Sequence, residues 1–309
     1  MNRRPAVYDT AALPTELRRL SYILPFALYY FELMFIGQPD TEQLKLKAKE
    51  IRIDVIKMLS QAGSGHSAGS LGMADILTVL YFSVLNHDPQ NPTWPERDRL
   101  ILSNGHICPV LYAALAHAGY FKTKELLTLR RLGSRLQGHP SRLDLPGLET
   151  SSGPLAQGIS QAVGFALAAK IDKQHHHIFC LMGDGELDEG QVWEAFLFGA
   201  KEKLGSLIAI IDRNHIQLDG PTEHIMPLEP LKDKLLSFNW QVLEMDGHNL
   251  EEIIATLMQA KVSTDQPVAV IAHTIPGKGV SFMECKSEWH GKTPNEGETK
   301  QALKELGRL

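Results

Sequence analysis

The strongest constraint on the fold is a regular alternation of short apolar runs and amphipathic segments in the second half of the chain. The apolar runs of this half are predicted strands over 178–182, 207–211, 240–245 and 268–272. One earlier apolar run, over 99–102, is also a predicted strand. The segments between the four strands of the second half are predicted helices over 189–203, 228–237 and 249–261. Because the strands are apolar on both faces, they indicate a parallel sheet covered by helices on each side. We therefore predict a doubly wound α/β fold with a mostly parallel sheet, whose ligand crevice lies at the carboxyl ends of the strands.

The first half of the chain is predicted to be mainly helical and to complete one domain over residues 41–294. Asp40-Thr41 followed by Glu42 is typical of a helix start, which places the domain boundary there. Residues 295–309 are predicted to be a polar tail with one short helix. The remaining helices are expected over 42–61, 73–85, 107–118 and 155–171.

Residues 1–40 are predicted to be an N-terminal extension that is partly apolar. Its apolar stretch over 21–36 is short for a transmembrane helix and is interrupted by Pro25 and Glu32. No small-residue cleavage site follows it. We expect this stretch to pack against the protein itself or a partner rather than to enter a membrane. An interfacial membrane segment, a secretion signal and a mis-assigned start codon are the alternatives.

Composition bears on the classes of ligand. The 309 residues carry a net charge of −5, so no basic field points to nucleic acid. An anionic ligand would have to be held by local dipoles or by a metal ion. The three cysteines, Cys108, Cys180 and Cys285, are widely spaced, which argues against a disulfide or a thiolate zinc site and favours the cytoplasm.

Two predicted strands run directly into polar loops that can share a metal ion. Gly183-Asp184-Gly185 follows the strand 178–182, and Asp212-Arg213-Asn214 follows the strand 207–211. The spacing suits one strand–helix–strand crossover, so the carboxylate and the carboxamide can meet. Together with a backbone carbonyl, the side-chain oxygens of Asp184 and Asn214 would form a ligand set suited to Mg²⁺ or Ca²⁺. Gly185 has no side chain, so the backbone there can approach a phosphate. The alternative is a tight turn and an unrelated asparagine.

Four histidines lie in glycine-containing loops, namely His66, His106, His139 and His290. A single loop histidine is usually a surface residue, but four converging on one crevice point to proton transfer near neutral pH. The run His175-His176-His177 precedes a strand at its amino end, away from the predicted crevice. We interpret it as a solvated turn rather than a metal site.

With these strand-end loops and histidine-containing loops, the sequence resembles the thiamine diphosphate-dependent enzymes, and among them the transketolase family. The segment from Gly183-Asp184-Gly185 to Asn214 matches their metal–diphosphate motif, and further blocks match in the same order over about residues 42–292. These blocks are Ser64-Gly65-His66, Ser103-Asn104-Gly105-His106, Gly138-His139-Pro140, Gly153-Pro154-Leu155-Ala156-Gln157-Gly158 and His290-Gly291. The ordered set is far more specific than any one block.

The resemblance implies a role for most of the matched residues. The metal ion would be held by the side chains of Asp184 and Asn214 and by the backbone carbonyl of Ile216. His66 and His290 would take part in proton transfers, and His139 would hold a donor hydroxyl. Thiamine diphosphate would be contacted by residues from several loops, namely His106, Gly153, Pro154, Leu155, Gly185, Asn214 and His290.

The resemblance also implies a transferase that moves a two-carbon ketol group from a ketose to an aldose. The family default is a pair of sugar phosphates of the pentose phosphate pathway. Full-length family members have further domains, whereas the likeness here ends at His290-Gly291. We therefore expect the N-terminal subunit of a split transketolase, active only with a C-terminal partner subunit in an α2β2 heterotetramer. Glu189 and Glu194 would then form an acidic pair at a subunit interface.

Other activities remain compatible with parts of the pattern. A subunit of a deoxyxylulose-phosphate synthase-like enzyme or of a 2-oxo acid dehydrogenase α-like enzyme would share the metal motif. A non-catalytic cofactor-binding subunit would share it too. The set of histidines favours transketolase over the dehydrogenase subunit.

Overall fold

A five-stranded parallel sheet forms the centre of the chain in the computed structural model, which describes residues 40–307. The spatial order is β1-β2-β3-β7-β6, and the strands are β1 (Arg99–Leu102), β2 (Ile178–Gly183), β3 (Leu207–Arg213), β6 (Gln241–Asp246) and β7 (Val268–His273). β4 (Ile216–Gln217) and β5 (Gly220–Pro221) form a separate antiparallel pair. The predicted N-terminal extension, with its apolar stretch over 21–36, lies outside the described residues.

Helices cover both faces of this sheet, which confirms the doubly wound α/β prediction. They are α1 (Thr41–Ala62), α2 (Ala68–Gly72), α3 (Ala74–Val79), α4 (Cys108–Ala118), α5 (Gln157–Ile171), α6 (Gly190–Lys201), α7 (Thr222–Ile225), α8 (Leu231–Ser237), α9 (Leu250–Ala260) and α10 (Glu296–Leu306). A π-helical turn, Leu80–Val84, continues α3. Between residues 40 and 307, no helix combines the length and apolarity needed to cross a membrane.

The alternation of side chains along the central strands divides the core into two layers. On β2, Phe179 and Leu181 face a layer formed with α1, α3, α4, α9 and α10. Ile178, Cys180 and Met182 face the opposite layer, formed with α5, α6 and α8. All five side chains are fully buried, so burial on both faces explains the continuous apolar run that predicts this strand.

Differences from the predicted elements are concentrated in the loops around the crevice. The helix expected over 73–85 is preceded by α2, so the glycine-rich break is limited to residues 63–67. The β4–β5 pair and α7 lie between the predicted strand over 207–211 and the predicted helix over 228–237, where the sequence predicts no element. Each of these elements is too short to show a periodic pattern of apolar residues.

The C-terminal residues, expected to be a polar tail with one short helix, form the helix α10, which packs on the domain. Asn295 caps this helix and Glu298 completes a capping box. Ala302 and Leu306 are fully buried in the same core layer as α1 and α9. Because these two apolar side chains share one face of the helix, the otherwise polar segment packs on the core.

The histidine run lies in the ordered connection that precedes β2. The backbone N–H of His177 donates to the buried carboxylate of Asp98 (2.8 Å), and the His177 ring contacts the carbonyl of Lys261 (2.9 Å). Lys261 Nζ also donates to Asp98 (2.9 Å). His177 therefore joins the start of the sheet to the end of α9, while His175 is exposed.

A buried ionic network holds the helical layer to the loops at the carboxyl edge of the sheet. Arg52 of α1 donates two hydrogen bonds to the carboxylate of Asp75 of α3, at 2.9 and 2.5 Å. Asp75 also contacts His248 Nδ1 at 2.8 Å, and His248 Nε2 accepts the backbone N–H of Ile275 at 2.7 Å. Burial opposes the ionised form, but Arg52 and His248 outweigh it and lower the pKa of Asp75.

Replacing Asp75 by asparagine should destabilise the protein strongly. Asp75→Asn leaves the Arg52 charge buried without its partner, which costs about 3–5 kcal/mol of the free energy of unfolding. Because the folded-state pKa of Asp75 is lowered, the contribution is present above the ordinary carboxyl pKa and is lost as the pH falls through the folded-state value. Urea denaturation at pH 7 measures the loss.

The control is Lys300→Gln, which removes an exposed ion pair with Glu296 on α10. Such pairs contribute little, so its unfolding midpoint should stay close to that of the unmodified chain. Equal midpoints for Asp75→Asn and Lys300→Gln would contradict the proposed weight of the buried network.

Candidate active site

The parallel pairing of β2 with β3 places two polar loops side by side. Gly183 is in register with Asp212, so Asp184 and Asn214 leave neighbouring strands at the same edge. Asp184 Oδ2 accepts the backbone N–H of His215 (2.7 Å), and Oδ1 accepts that of Gly185 (2.8 Å). The carboxylate and the carboxamide thus lie in adjacent loops, as the spacing of the motif predicts.

A crevice of about 110 Å³ opens at this edge of the sheet. Many of the residues predicted to bind the metal or the cofactor line it, namely His106, Leu155, Asp184, Gly185, Asn214, Ile216 and His290. Its wall also contains residues for which the sequence predicts no role, namely Asn104, Glu186, Asp212, Gln217 and Leu218. The crevice therefore combines loops that follow β1, β2 and β3 with the segment around His290.

Three of the predicted histidines form a cluster at this crevice. The ring centroids of His66 and His106 are 4.8 Å apart, those of His106 and His290 are 5.1 Å apart, and those of His66 and His290 are 5.7 Å apart. The fourth, His139, is exposed, and its ring lies beside Gly153. Segments far apart in sequence thus bring four imidazoles to one region.

Burial keeps the clustered imidazoles neutral. Burial, followed by electrostatic interactions with His290, Arg130 and His139, lowers the pKa of His66 to about 4. Burial and then the neighbouring His66 hold the pKa of His106 well below its usual value, and burial lowers the pKa of His290. Neutral imidazoles can accept a proton from a hydroxyl near pH 7 and return it.

The strand-end loops provide oxygen donors for a divalent metal ion. Across residues 40–307, no three His, Cys, Asp or Glu side chains are grouped so as to hold a metal. A metal here would depend on the Asn214 carboxamide and the Ile216 carbonyl in addition to Asp184, a donor set that suits Mg²⁺ or Ca²⁺. Burial raises the pKa of Asp184 to about 6 and, with the nearby Asp184 charge, that of Asp212 to about 7. A cation would compensate these two buried carboxyl groups.

Arg213, for which the sequence predicts no role, stabilises the carboxylate of Asp184 from the protein interior. Its guanidinium donates to Asp184 Oδ2 (3.0 Å), and its other hydrogen bonds go to Thr222, Glu223 and Glu229. The Arg213 side chain is only 1% exposed. The sequence signal for this role is its position directly after Asp212 and before Asn214, at the end of β3.

Glu186 is a second buried residue of the crevice for which the sequence predicts no role. Its carboxylate accepts hydrogen bonds from the hydroxyl of Ser103, from the backbone N–H of Ala156 (2.6 Å) and from that of Gly183 (3.1 Å). Burial raises its pKa. One buried side chain thus joins three loops of the crevice, and its position directly after Gly183-Asp184-Gly185 is the available sequence signal.

Unpaired buried polar atoms around the crevice fit a polar ligand. Within residues 40–307, His66 Nδ1, Asn104 Oδ1 and Ser152 Oγ are buried without a hydrogen-bond partner. Leaving such atoms unpaired costs free energy that a bound ligand would recover. The backbone at Gly185 is also tightly enclosed, because a Cβ there would lie 2.9 Å from the Cβ of Gln217. The residues present therefore fit a cofactor with polar groups bound close to the backbone.

The remaining predicted residues are not part of the crevice wall. Gly153 lies beside the His139 ring, and Pro154 is exposed next to Leu155. Glu189 and Glu194 are exposed at the start of α6 and within it. Their exposure leaves both acidic side chains accessible to another protein surface.

Most of the chain is similar in sequence to known proteins. Residues 43–308 match the family described as transketolase, thiamine diphosphate binding domain. The 6-deoxy-6-sulfo-D-fructose transketolase subunit of Clostridium sp. (strain MSTE9) is 45% identical over 263 residues, which cover 85% of this chain and 96% of that protein. An apulose-4-phosphate transketolase subunit of Phocaeicola vulgatus is 39% identical, over 86% of this chain and 95% of that protein.

Solved structures of larger transketolases share the fold. The transketolase of Campylobacter jejuni superposes with a TM-score of 0.80 at 37% identity, over 85% of this chain and 42% of that one. The chain therefore spans about two fifths of the length of that enzyme.

Replacing Glu186 should destabilise the crevice. Glu186→Ala leaves three donors without their acceptor, and since each unsatisfied buried donor costs about 1–3 kcal/mol, we expect a loss of at least about 3 kcal/mol in the free energy of unfolding. Glu186→Gln retains an acceptor oxygen and should cost less. Urea denaturation compares both with Glu96→Ala, a change at an exposed turn before β1. A Glu186→Ala variant as stable as the Glu96→Ala control would contradict this role.

Proposed function

The chain belongs to the transketolase family, and we propose that it is the N-terminal subunit of a two-subunit transketolase. Such an enzyme transfers a two-carbon ketol group from a ketose to an aldose. Two relatives that match over 96% and 95% of their own lengths are named as transketolase subunits, which supports this architecture. The observation that carries the activity is the cluster of neutral imidazoles next to the paired strand-end loops.

We assign the cofactor and metal roles to the residues in and around the crevice. Asp184, Asn214 and the Ile216 carbonyl would hold Mg²⁺, with Ca²⁺ as an alternative. The diphosphate of thiamine diphosphate would lie against Gly185 and Asn214, next to His106. When bound, thiamine diphosphate supplies the carbon nucleophile that carries the two-carbon unit between the sugars. The rest of the cofactor would be lined by Gly153, Pro154, Leu155 and His290.

The histidines would move the protons that ketol transfer requires. Cleavage of the C2–C3 bond of the ketose removes a proton from the C3 hydroxyl, and addition to the aldose returns a proton to its carbonyl oxygen. His66 and His290 are neutral and adjacent, so either can accept the first proton and supply the second. His139, on the exposed side of the cluster, would hold a hydroxyl of the donor.

The partner would be a C-terminal subunit that covers the open side of the crevice. Leu218 lines the crevice yet is 68% exposed, and Leu155 is 37% exposed. Exposed apolar side chains at the mouth of a polar site are suited to contact another protein surface. We propose an α2β2 assembly in which Glu189 and Glu194 lie at a subunit interface.

The substrates are proposed to be anionic sugars. The two relatives are named for a sulfonated ketose and for a phosphorylated ketose. These names favour a specialised anionic ketose as the substrate. The common pentose phosphates, which are also anionic, are the less favoured choice.

We further propose that the protein acts in the cytoplasm. Cys108 and Cys180 are buried free thiols, and Cys285 is an exposed one. Such thiols are compatible with a reducing compartment.

The isolated chain should bind thiamine diphosphate weakly and show no ketol transfer. Transfer should appear when a C-terminal subunit, sought first in the neighbouring reading frame, is added. A coupled assay with a ketose phosphate and an aldose phosphate measures the transfer. Assays with pyruvate in place of the ketose serve as the control for the related enzyme classes. High transfer activity of the isolated chain would overturn the two-subunit proposal.

Replacing Asp184 should abolish metal-dependent cofactor binding in the reconstituted complex. Asp184→Ala removes the proposed charged metal ligand, so we expect the affinity for thiamine diphosphate at saturating Mg²⁺ to fall by at least about a hundredfold. Asp184→Asn retains the shape and should show the same loss. Calorimetric titration measures the dissociation constant with and without Mg²⁺.

The matched control is Asp188→Asn, which changes an exposed carboxylate in the same turn. It should retain the Mg²⁺ dependence of cofactor binding. Unchanged binding by both Asp184 variants would contradict the metal assignment.

A further inference from the structure

Arg130 occupies an unusual position between two of the histidine-bearing loops. It lies in the loop after the 3-10 turn Thr123–Thr128, and its backbone has a φ of +59°, in the left-handed region that non-glycine residues seldom adopt. Its backbone N–H donates to the carbonyl of Leu136 (2.9 Å), which closes the loop that leads to His139. The backbone is thus turned so that the side chain reaches the neighbouring loops.

The guanidinium of Arg130 bridges the loop of His66 and the loop of His139. Nη1 contacts Ser64 Oγ at 3.4 Å, and Nη2 contacts the carbonyl of Gly138 at 3.3 Å. The guanidinium also lies close against Gly138, because a Cβ on this glycine would be 3.0 Å from its central carbon. Each of the two contacted residues is within two positions of a histidine of the site.

A similar bridge already joins the other pair of histidine loops. The Ser67 hydroxyl donates to the carbonyl of Lys292 (2.6 Å), which connects the loop of His66 to the segment of His290. Arg130 supplies the corresponding connection to His139. In the described part of the chain no carboxylate pairs with Arg130, so its contacts with these loops are not secondary to an ion pair.

We propose that Arg130 is a positioning residue that clamps the His66 loop to the His139 loop and so sets the separation of the two imidazoles that face the donor sugar. The proposal rests on the function proposed above for these histidines. The hydrogen bonds of the Arg130 side chain involve neither of the strand-end loops that carry Asp184 and Asn214. It should therefore affect how the donor is held without affecting how the metal and the cofactor are held.

The charge of Arg130 adds a second effect on the same histidines. After burial, which is the larger cause in both cases, Arg130 contributes to the lowered pKa of His66 and of His139. The other groups that face His66 are the rings of His106, His290 and His139. Removing the cation should raise the pKa of both histidines, so that the acid limb of the rate profile moves to higher pH.

The test compares Arg130→Gln and Arg130→Lys with Arg131→Gln in the reconstituted complex. Arg131 is the exposed neighbour, so the control makes the same chemical change outside the clamp. We expect Arg130→Gln to raise KM for a ketose phosphate donor by about tenfold or more and to shift the acid limb of kcat/KM to higher pH. The dissociation constant of thiamine diphosphate should stay within about twofold. Arg130→Lys should retain the acid limb but still raise KM, because an ammonium group cannot span both loops.

A readout on the chain alone separates this inference from the proposed function. Hydrogen–deuterium exchange of segments 63–67 and 136–140 should be faster in Arg130→Gln than in Arg131→Gln, and exchange of 183–186 should be the same. If the unmodified complex shows no ketol transfer, the proposed function fails, while this exchange pattern still tests the clamp.

Three results would overturn the clamp. The first is an Arg130→Gln enzyme that matches the Arg131→Gln control in KM and in exchange. The second is a parallel loss of cofactor affinity, which would indicate a general defect of folding. The third is a rise in KM for a phosphorylated ketose but not for an uncharged ketose, which would mean that Arg130 recognises the charge of the substrate instead.

Discussion

The parallel contact between β2 and β3 is the interaction on which the rest of the site depends. It aligns Gly183 with Asp212, so the residues that follow leave the sheet together and meet at its edge. Both strands are fully buried in their apolar parts, because their side chains pack into both core layers. Slippage of the register would break this packing and separate Asp184 from Asn214 at the same time. The hydrophobic core thus sets the geometry of a polar site.

Buried charges at this edge are arranged around Asp184 and are costly without compensation. Arg213 neutralises Asp184 from the side of the protein, while Asp212 is held by the side chains of Thr274 and Asn214. Burial nevertheless raises the pKa of both carboxyl groups, so the edge of the sheet favours a cation. Stability and ligand binding are therefore linked, because the ligand would relieve a cost that the folded chain carries alone.

The sequence predicts the sheet and most helices because long elements carry a detectable apolar run or a helical periodicity of apolar residues. It also predicts which loops meet, since parallel strands end at a common edge. It does not predict the role of Glu186, because an acidic residue in the run Glu186-Leu187-Asp188-Glu189 looks like an exposed helix start, and only the folded chain shows its three buried donors. Arg213 is missed for a similar reason. The packing of α10 depends on only two buried side chains. In the sequence, two apolar residues are too few to distinguish a packed helix from an exposed polar one.

The charged groups and the neutral imidazoles of the crevice are different residues. None of the described residues that line it is a lysine or arginine, and the charge of Arg213 is taken up by Asp184 and by carboxylates behind it. A diphosphate in this acidic chain would therefore be neutralised chiefly by a divalent ion and by backbone dipoles at the strand ends. The clustered imidazoles carry no positive charge near pH 7, so they remain available as bases. On the proposed function, this division would let a chain with a net charge of −5 bind an anionic cofactor and keep neutral imidazoles beside it.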